Sequence, residues 1–151
     1  MILSDFKVFP CNGRLVGIDW GARRTGVAVS DESREFVFAR APIVSRNPDE
    51  LVRAISDFVR AEHVAGIVIG LPLRTDGTES ETTKMVRDFS DALANATDVP
   101  IIFIDETLSS TMAQAEMGRV RTRDIKEKLD SNAARLILEN AIAMIGRMPK
   151  D

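Results

Sequence analysis

Asp19, Glu106 and Asp130 stand where chemistry could use them. Asp19 closes the apolar run Leu15-Val16-Gly17-Ile18, Glu106 follows Ile101-Ile102-Phe103-Ile104-Asp105, and Asp130 precedes Ser131-Asn132-Ala133-Ala134. An acid at the end of a buried apolar strand is costly unless it is hydrogen-bonded or paired with a cation, and two carboxylates brought together raise one another's pKa. A divalent cation removes both penalties. Mg2+ prefers carboxylate and water oxygens, and Mg2+ or Mn2+ held by such a cluster can activate a water, bind a scissile phosphate and stabilise the leaving oxygen. With a single cysteine, Cys11, and a single histidine, His63, the chain cannot build a Cys/His zinc site, so any metal is expected on oxygen ligands.

Each acid also has a plainer reading. Asp19 could bond its own turn before Gly21. Asp105 and Glu106 could favour the positive end of a following helix. Asp130 could be an ordinary N-cap, with Asp105 the nearest substitute as a third ligand. It is the conjunction of the acids that favours a site. On a helix starting at Asp130, that residue shares a face with Ala133, Ala134 and Ile137, and the small alanines would let the helix press against a sheet.

The elements that must position these acids follow from the hydrophobic pattern. Residues 14–20 and 24–30 read as an antiparallel hairpin, with a third strand near Glu35 to Phe38. Asn47-Pro48-Asp49-Glu50 supplies an N-cap, a first-turn proline and early acids for a helix to about His63. Ala65 to Gly70 reads as a buried strand, Thr78 with Glu81 as a capping box for a helix to about Ala94, and Pro100 to Ile104 as another strand. Helices are expected over roughly 109–118 and 130–146. Strands alternating with helices predict an α/β fold: a five-stranded mixed sheet, its first three strands antiparallel, with helices on both faces. Residues 1–13 read as a loose extension and 14–151 as the domain. His63 reads as a partner of a helix C-terminus, and Trp20 and the phenylalanines as core.

The 151 residues are 44% hydrophobic, enough for one ordinary core. No run approaches a membrane span and no leader pattern opens the chain, so a reducing cytoplasm is the expected location. With 20 basic residues against 23 acidic ones, binding of nucleic acid through bulk charge is disfavoured. Local clustering would have to supply it. Arg119, Arg121 and Arg123, with Lys126 and Lys128, form the most basic strip, a phosphate-facing candidate whose bland reading is a solvated loop. At 5% aromatic content, no stacking platform for single-stranded bases is expected.

Four motifs in order carry a resemblance. They are Gly17-Ile18-Asp19-Trp20-Gly21 with Arg23-Arg24-Thr25-Gly26-Val27-Ala28-Val29-Ser30-Asp31, then Gly70-Leu71-Pro72-Leu73 through Asp76-Gly77, then Asp105-Glu106-Thr107-Leu108-Ser109-Ser110, then Asp130-Ser131-Asn132-Ala133-Ala134. From about residue 14 to residue 145 the chain resembles the YqgF, or RuvX, family of pre-16S ribosomal RNA nucleases, formerly described as Holliday junction resolvase-like. The resemblance implies a ribonuclease H-like fold, Asp19, Glu106 and Asp130 as the acidic triad, and trimming of precursor ribosomal RNA ends. Candidate nucleic-acid contacts are then Arg23, Arg24 and Thr25, together with the arginines of the strip.

Other classes compete. A resolvase-like DNA endonuclease would use the same acids on branched DNA. Sugar kinases and actin-like ATPases share this sheet and use a turn like Asp19-x-Gly21 for phosphate, but need two such domains around a nucleotide. A structural module with inert acids would bind neither magnesium nor manganese. Length and charge leave open RNA against DNA, endo- against exonucleolytic cutting, and whether a homodimer forms.

Overall fold

Alternation along the strands builds two cores, one on each face of a single sheet. The computed structural model describes residues 1–10, 12–105 and 122–146, with side chains of 122–131 excepted. Its strands are β1 (Ile2–Leu3), β2 (Leu15–Asp19), β3 (Arg24–Ser30), β4 (Val37–Val44), β5 (Gly66–Leu71) and β6 (Ile101–Asp105). They lie in the order β1-β6-β5-β2-β3-β4. β2, β3 and β4 pair antiparallel, whereas β2 with β5, β5 with β6 and β1 with β6 pair parallel. The mixed α/β sheet with three antiparallel strands is as expected. The sixth strand is not, because two residues are too short to carry a periodicity. The first residues are not loose either: β1 pairs with the start of β6, and Phe6 and Phe9 are buried edge to face with centroids 6.0 Å apart.

One core lies under α1 (Pro48–Ala61) and α2 (Glu81–Ala96). Val16 and Ile18 of β2, Ile67 and Ile69 of β5 and Ile101 of β6 meet Leu51, Ile55 and Val59 of α1 and Val86, Phe89 and Leu93 of α2. The other lies under α3 (Thr122–Gly146), where Leu15, Ala28, Val68 and Ile102 meet Ala134, Ile137, Leu138 and Ala141, with Phe6 and Phe9. The helical spacing of three, four and seven and the strand spacing of two thus interlock.

Asn47 caps α1 as expected, its Oδ1 accepting from the Glu50 N–H at 2.8 Å. The capping box of α2 is formed instead by Ser80 and Thr83. Thr78 is otherwise engaged, donating its N–H and hydroxyl to Asp76 Oδ1. β4 runs longer than expected because Pro42 is tolerated on an edge strand, beside a register shift opposite Thr25 to Val27. α3 begins at Thr122, so Asp130 stands inside a helix and is not its N-cap. Arg123, Lys126 and Lys128 consequently belong to the helix rather than to a solvated loop. Glu106, Arg119, Arg121 and the expected helix over 109–118 lie outside the described residues.

Candidate active site

Asp19 is the last residue of β2 and half-buried. It pairs with Gly26 of β3, while on its other side the register Ile18 to Ile69 sets it level with Gly70 of β5, which pairs with Ile104 of β6. The carboxyl ends of the three parallel strands therefore form one edge, where ligands of open α/β sheets bind. By strand alternation Asp19 continues the row Leu15, Gly17 on the α3 face. Gly17 is the seat of that helix: a Cβ there would stand 2.8 Å from the Ala134 carbonyl oxygen and 2.8 Å from Leu138 Cβ. Asp130 precedes Ala134 by one helical turn.

Asp105 is exposed and continues the row Ile101, Phe103, which packs on the α1 and α2 face. By the same alternation it lies on the opposite side of the sheet from Asp19. Its even-numbered neighbours Ile102 and Ile104 pack on the α3 face. Among the described residues no group of three acids, histidines or cysteines could hold a metal ion, and the expected set draws on Glu106 and on the Asp130 side chain, both outside them.

The turn after Asp19 is tight. A Cβ at Gly21 would fall 2.0 Å from the Arg24 carbonyl oxygen, so only glycine fits. Thr25 is fully buried and its hydroxyl donates to the Gly21 carbonyl at 3.3 Å, which makes it a brace of the turn. Arg23 is exposed at the tip, and its carbonyl accepts from the Ser45 N–H at 3.0 Å. Arg24 is half-buried at the start of β3.

Beyond β5 a small hairpin rises, joined by a bridge between Leu73 and Glu79. Arg74 N–H donates to the Thr78 carbonyl at 2.9 Å and Gly77 N–H to the Arg74 carbonyl at 2.8 Å. The Thr83 hydroxyl donates to the Pro72 carbonyl, and Arg87 pairs with Glu79 at 2.5 Å, fixing the hairpin to α2. The Thr78 hydroxyl and N–H hold the Asp76 carboxyl below its ordinary range. This hairpin and the Gly17 seat escaped the sequence reading; Asp76-Gly77 and Ala133-Ala134 were their signals.

A carboxylate ending the central strand of such a mixed sheet, under a close-packed helix, is the framework of a ribonuclease H-like nuclease. Comparisons agree. The model of the RuvX family, described as Holliday junction resolvase, matches residues 13–144. A protein of Maridesulfovibrio salexigens is 38% identical over 132 residues, covering 86% of this chain and 98% of the relative. One of Orientia tsutsugamushi is 35% identical over 144 residues, covering 93% and 90%. Both names contain the words pre-16S rRNA nuclease. Among solved structures, T. thermophilus RuvC in complex with a Holliday junction substrate matches with a TM-score of 0.58 at 13% identity, over 89% of this chain and 96% of that one. The yeast mitochondrial Holliday junction resolvase Ydc2 matches at 0.54 and 10% identity, over 92% and 81%, and these two likenesses establish the fold. The chain belongs to the RuvX family, and that membership supports a nuclease function. Among the described residues no helix is long and apolar enough to cross a membrane.

Proposed function

We propose that the chain is a metal-dependent phosphodiester hydrolase that matures precursor 16S ribosomal RNA, with Asp19, Glu106 and Asp130 as ligands of Mg2+ or Mn2+. The observation that carries this reading is the half-buried Asp19 carboxylate at the end of a fully apolar strand, on the face where α3 rests on Gly17. An oxygen-only donor set fits a hard divalent cation. One helical turn before Ala134, which packs on the face of Gly17, Asp130 of α3 comes toward the same edge. When bound, the metal supplies the positive charge that offsets the carboxylates and polarises water and phosphate.

The chain's own residues do the rest. Asp19 is held at the strand end by its pairing with Gly26 of β3 and by the pairing of Ile18 with Ile69 of β5 just before it, so its carboxylate is preorganised. Thr25 braces the Gly21 turn, which keeps Arg23 and Arg24 beside the acid to engage backbone phosphates. The basic residues Arg119, Arg121 and Arg123, by their clustering in the sequence, are further candidates for phosphate contact.

A second reading, cleavage of four-way DNA junctions, is supported by the description of the family model. The test incubates the protein with a precursor 16S fragment and with a DNA junction, each with magnesium, manganese or chelator. Metal-dependent cutting of the RNA is expected. Cutting of the junction alone would favour the second reading, and cutting of neither would end both.

A further inference from the structure

Two groups of described arginines differ in their partners; outside both, Arg87 pairs with Glu79, Arg135 with Glu139, and Arg53 is exposed on α1. Arg14 donates to the Glu62 carbonyl at 3.1 Å, Arg40 pairs with Glu62 at 2.6 Å, Arg60 pairs with Asp57 at 2.7 Å, and Arg34 donates to the carbonyls of Gly13 and Asn12 at 2.7 and 2.9 Å. All four face the amino end of the parallel strands, or reach toward it through Glu62. Arg23, Arg46 and Arg74 are exposed and make no side-chain hydrogen bond or ion pair among the described residues. Each lies in a connection at the carboxyl end: Arg23 between β2 and β3, Arg46 between β4 and α1, Arg74 between β5 and α2.

Their backbones are fixed. Ser45, next to Arg46, donates its N–H to the Arg23 carbonyl at 3.0 Å, which ties those two connections together on one flank of Asp19. Arg74 is the donor and acceptor of two hairpin bonds on the other flank, beyond the strand that neighbours β2. Nearby acids do not quench them. Asp49 and Glu50 open α1 without pairing with Arg46, Asp76 is engaged by Thr78, and Glu79 by Arg87. From β4 to β5 the crescent crosses three strand intervals, about 14 Å at the usual spacing. At roughly 3.4 Å per phosphate along one strand of a duplex, that is room for several consecutive charges.

We propose that Arg46 and Arg74 join Arg23 in a phosphate-binding crescent that carries the backbone of a nucleic-acid strand across the carboxyl edge, past Asp19. This assignment rests on the nuclease reading and adds to it a direction for the bound strand. The guanidinium groups meet polyanion charge, which RNA and DNA backbones share. RNA and DNA strands of one sequence therefore bind the crescent alike.

The test measures binding of short labelled RNA and DNA of identical sequence in chelator, as a function of salt, so that cleavage and metal play no part. In the double variant Arg46→Gln/Arg74→Gln the slope of log affinity against log salt should fall by about 1.4, from about 0.7 per single-strand contact. The double variant Arg46→Lys/Arg74→Lys should keep most of the slope, because lysine remains a point charge for phosphate. Arg60→Gln, at the other end, should leave it unchanged. An unaltered slope in the glutamine variant, a loss confined to RNA, or an equal loss in Arg60→Gln would overturn the crescent while the nuclease reading stands. Wild-type protein that binds neither strand would overturn both.

Discussion

At the amino end of the parallel strands Phe6 and Phe9 close the core under α3, and Arg14, Arg40 and Arg60 are matched to Glu62 and Asp57. At the carboxyl end stand the half-buried Asp19 and the exposed Arg23, Arg46 and Arg74; these three arginines make no such match among the described residues, and two of them lie on turns braced by Thr25 and by the Leu73 to Glu79 bridge. The same sheet thus ends once in arginines matched to acids and once in three exposed arginines that are not, the end at which the proposed site lies. On the proposed function, stability and chemistry then occupy opposite ends of the sheet, joined through its strands and α3.

The largest effect expected on stability is at the amino end. Phe9→Ala removes a buried ring, 4% exposed, and should cost about 3–5 kcal/mol in a denaturant titration. Cleavage per folded molecule, measured well below the melting temperature, should stay near wild type. A variant that loses cleavage while fully folded would blur the division between the ends.

Gly17→Ala tests the connection between them. The new Cβ meets the Ala134 carbonyl and Leu138 Cβ, both at 2.8 Å, so α3 must lift at a cost of about 1–3 kcal/mol. Because α3 carries Asp130, cleavage should fall further than stability. Equal wild-type activity would mean that the helix does not need its close seat on β2.

How legible was all this in the sequence? α1 was, because Asn47, Pro48 and the acids behind them use the ordinary chemistry of a helix start. The three antiparallel strands were, because Gly21 marks the turn. The start of α3 was not, since residues 122–129 are largely charged and carry only Ile125 and Leu129 as an apolar row, so the pattern is strong only where Ala133 and Ala134 reach the sheet. The α2 cap was missed because Thr83 fills the place that glutamate usually takes, and Thr78 is spent on Asp76. Asp19 was legible as an acid on an apolar strand. That Asp105 faces the other way was not, because face assignment needs the register of β6 against β5.

The smallest effect is one of pH, and it treats the two ends alike. Asp31, in the β3 to β4 turn at the amino end, is held below its ordinary value by the Ser33 hydroxyl and the Phe36 N–H, as Asp76 is by Thr78 at the carboxyl end. A carboxyl with a depressed folded pKa stabilises fully above its unfolded value, and that contribution is lost as pH falls through the folded one. Both turns should therefore stay closed at neutral pH and loosen only below about pH 4. Amide exchange at Phe36 and Thr78 checks this; loosening already near neutrality would contradict the pairing.

The role of Asp19 as a metal ligand of a nuclease is what the proposed function depends on most. Its most direct measurement compares Asp19→Asn with wild type for cleavage of a precursor 16S fragment in manganese, with melting temperature and RNA binding measured on the same preparations. The amide keeps the shape and loses the charge. The Asp19→Asn protein is expected to fold and still bind RNA yet cleave more than about 100-fold slower, beyond what loss of a merely supporting partner causes. Cleavage at the wild-type rate would contradict it.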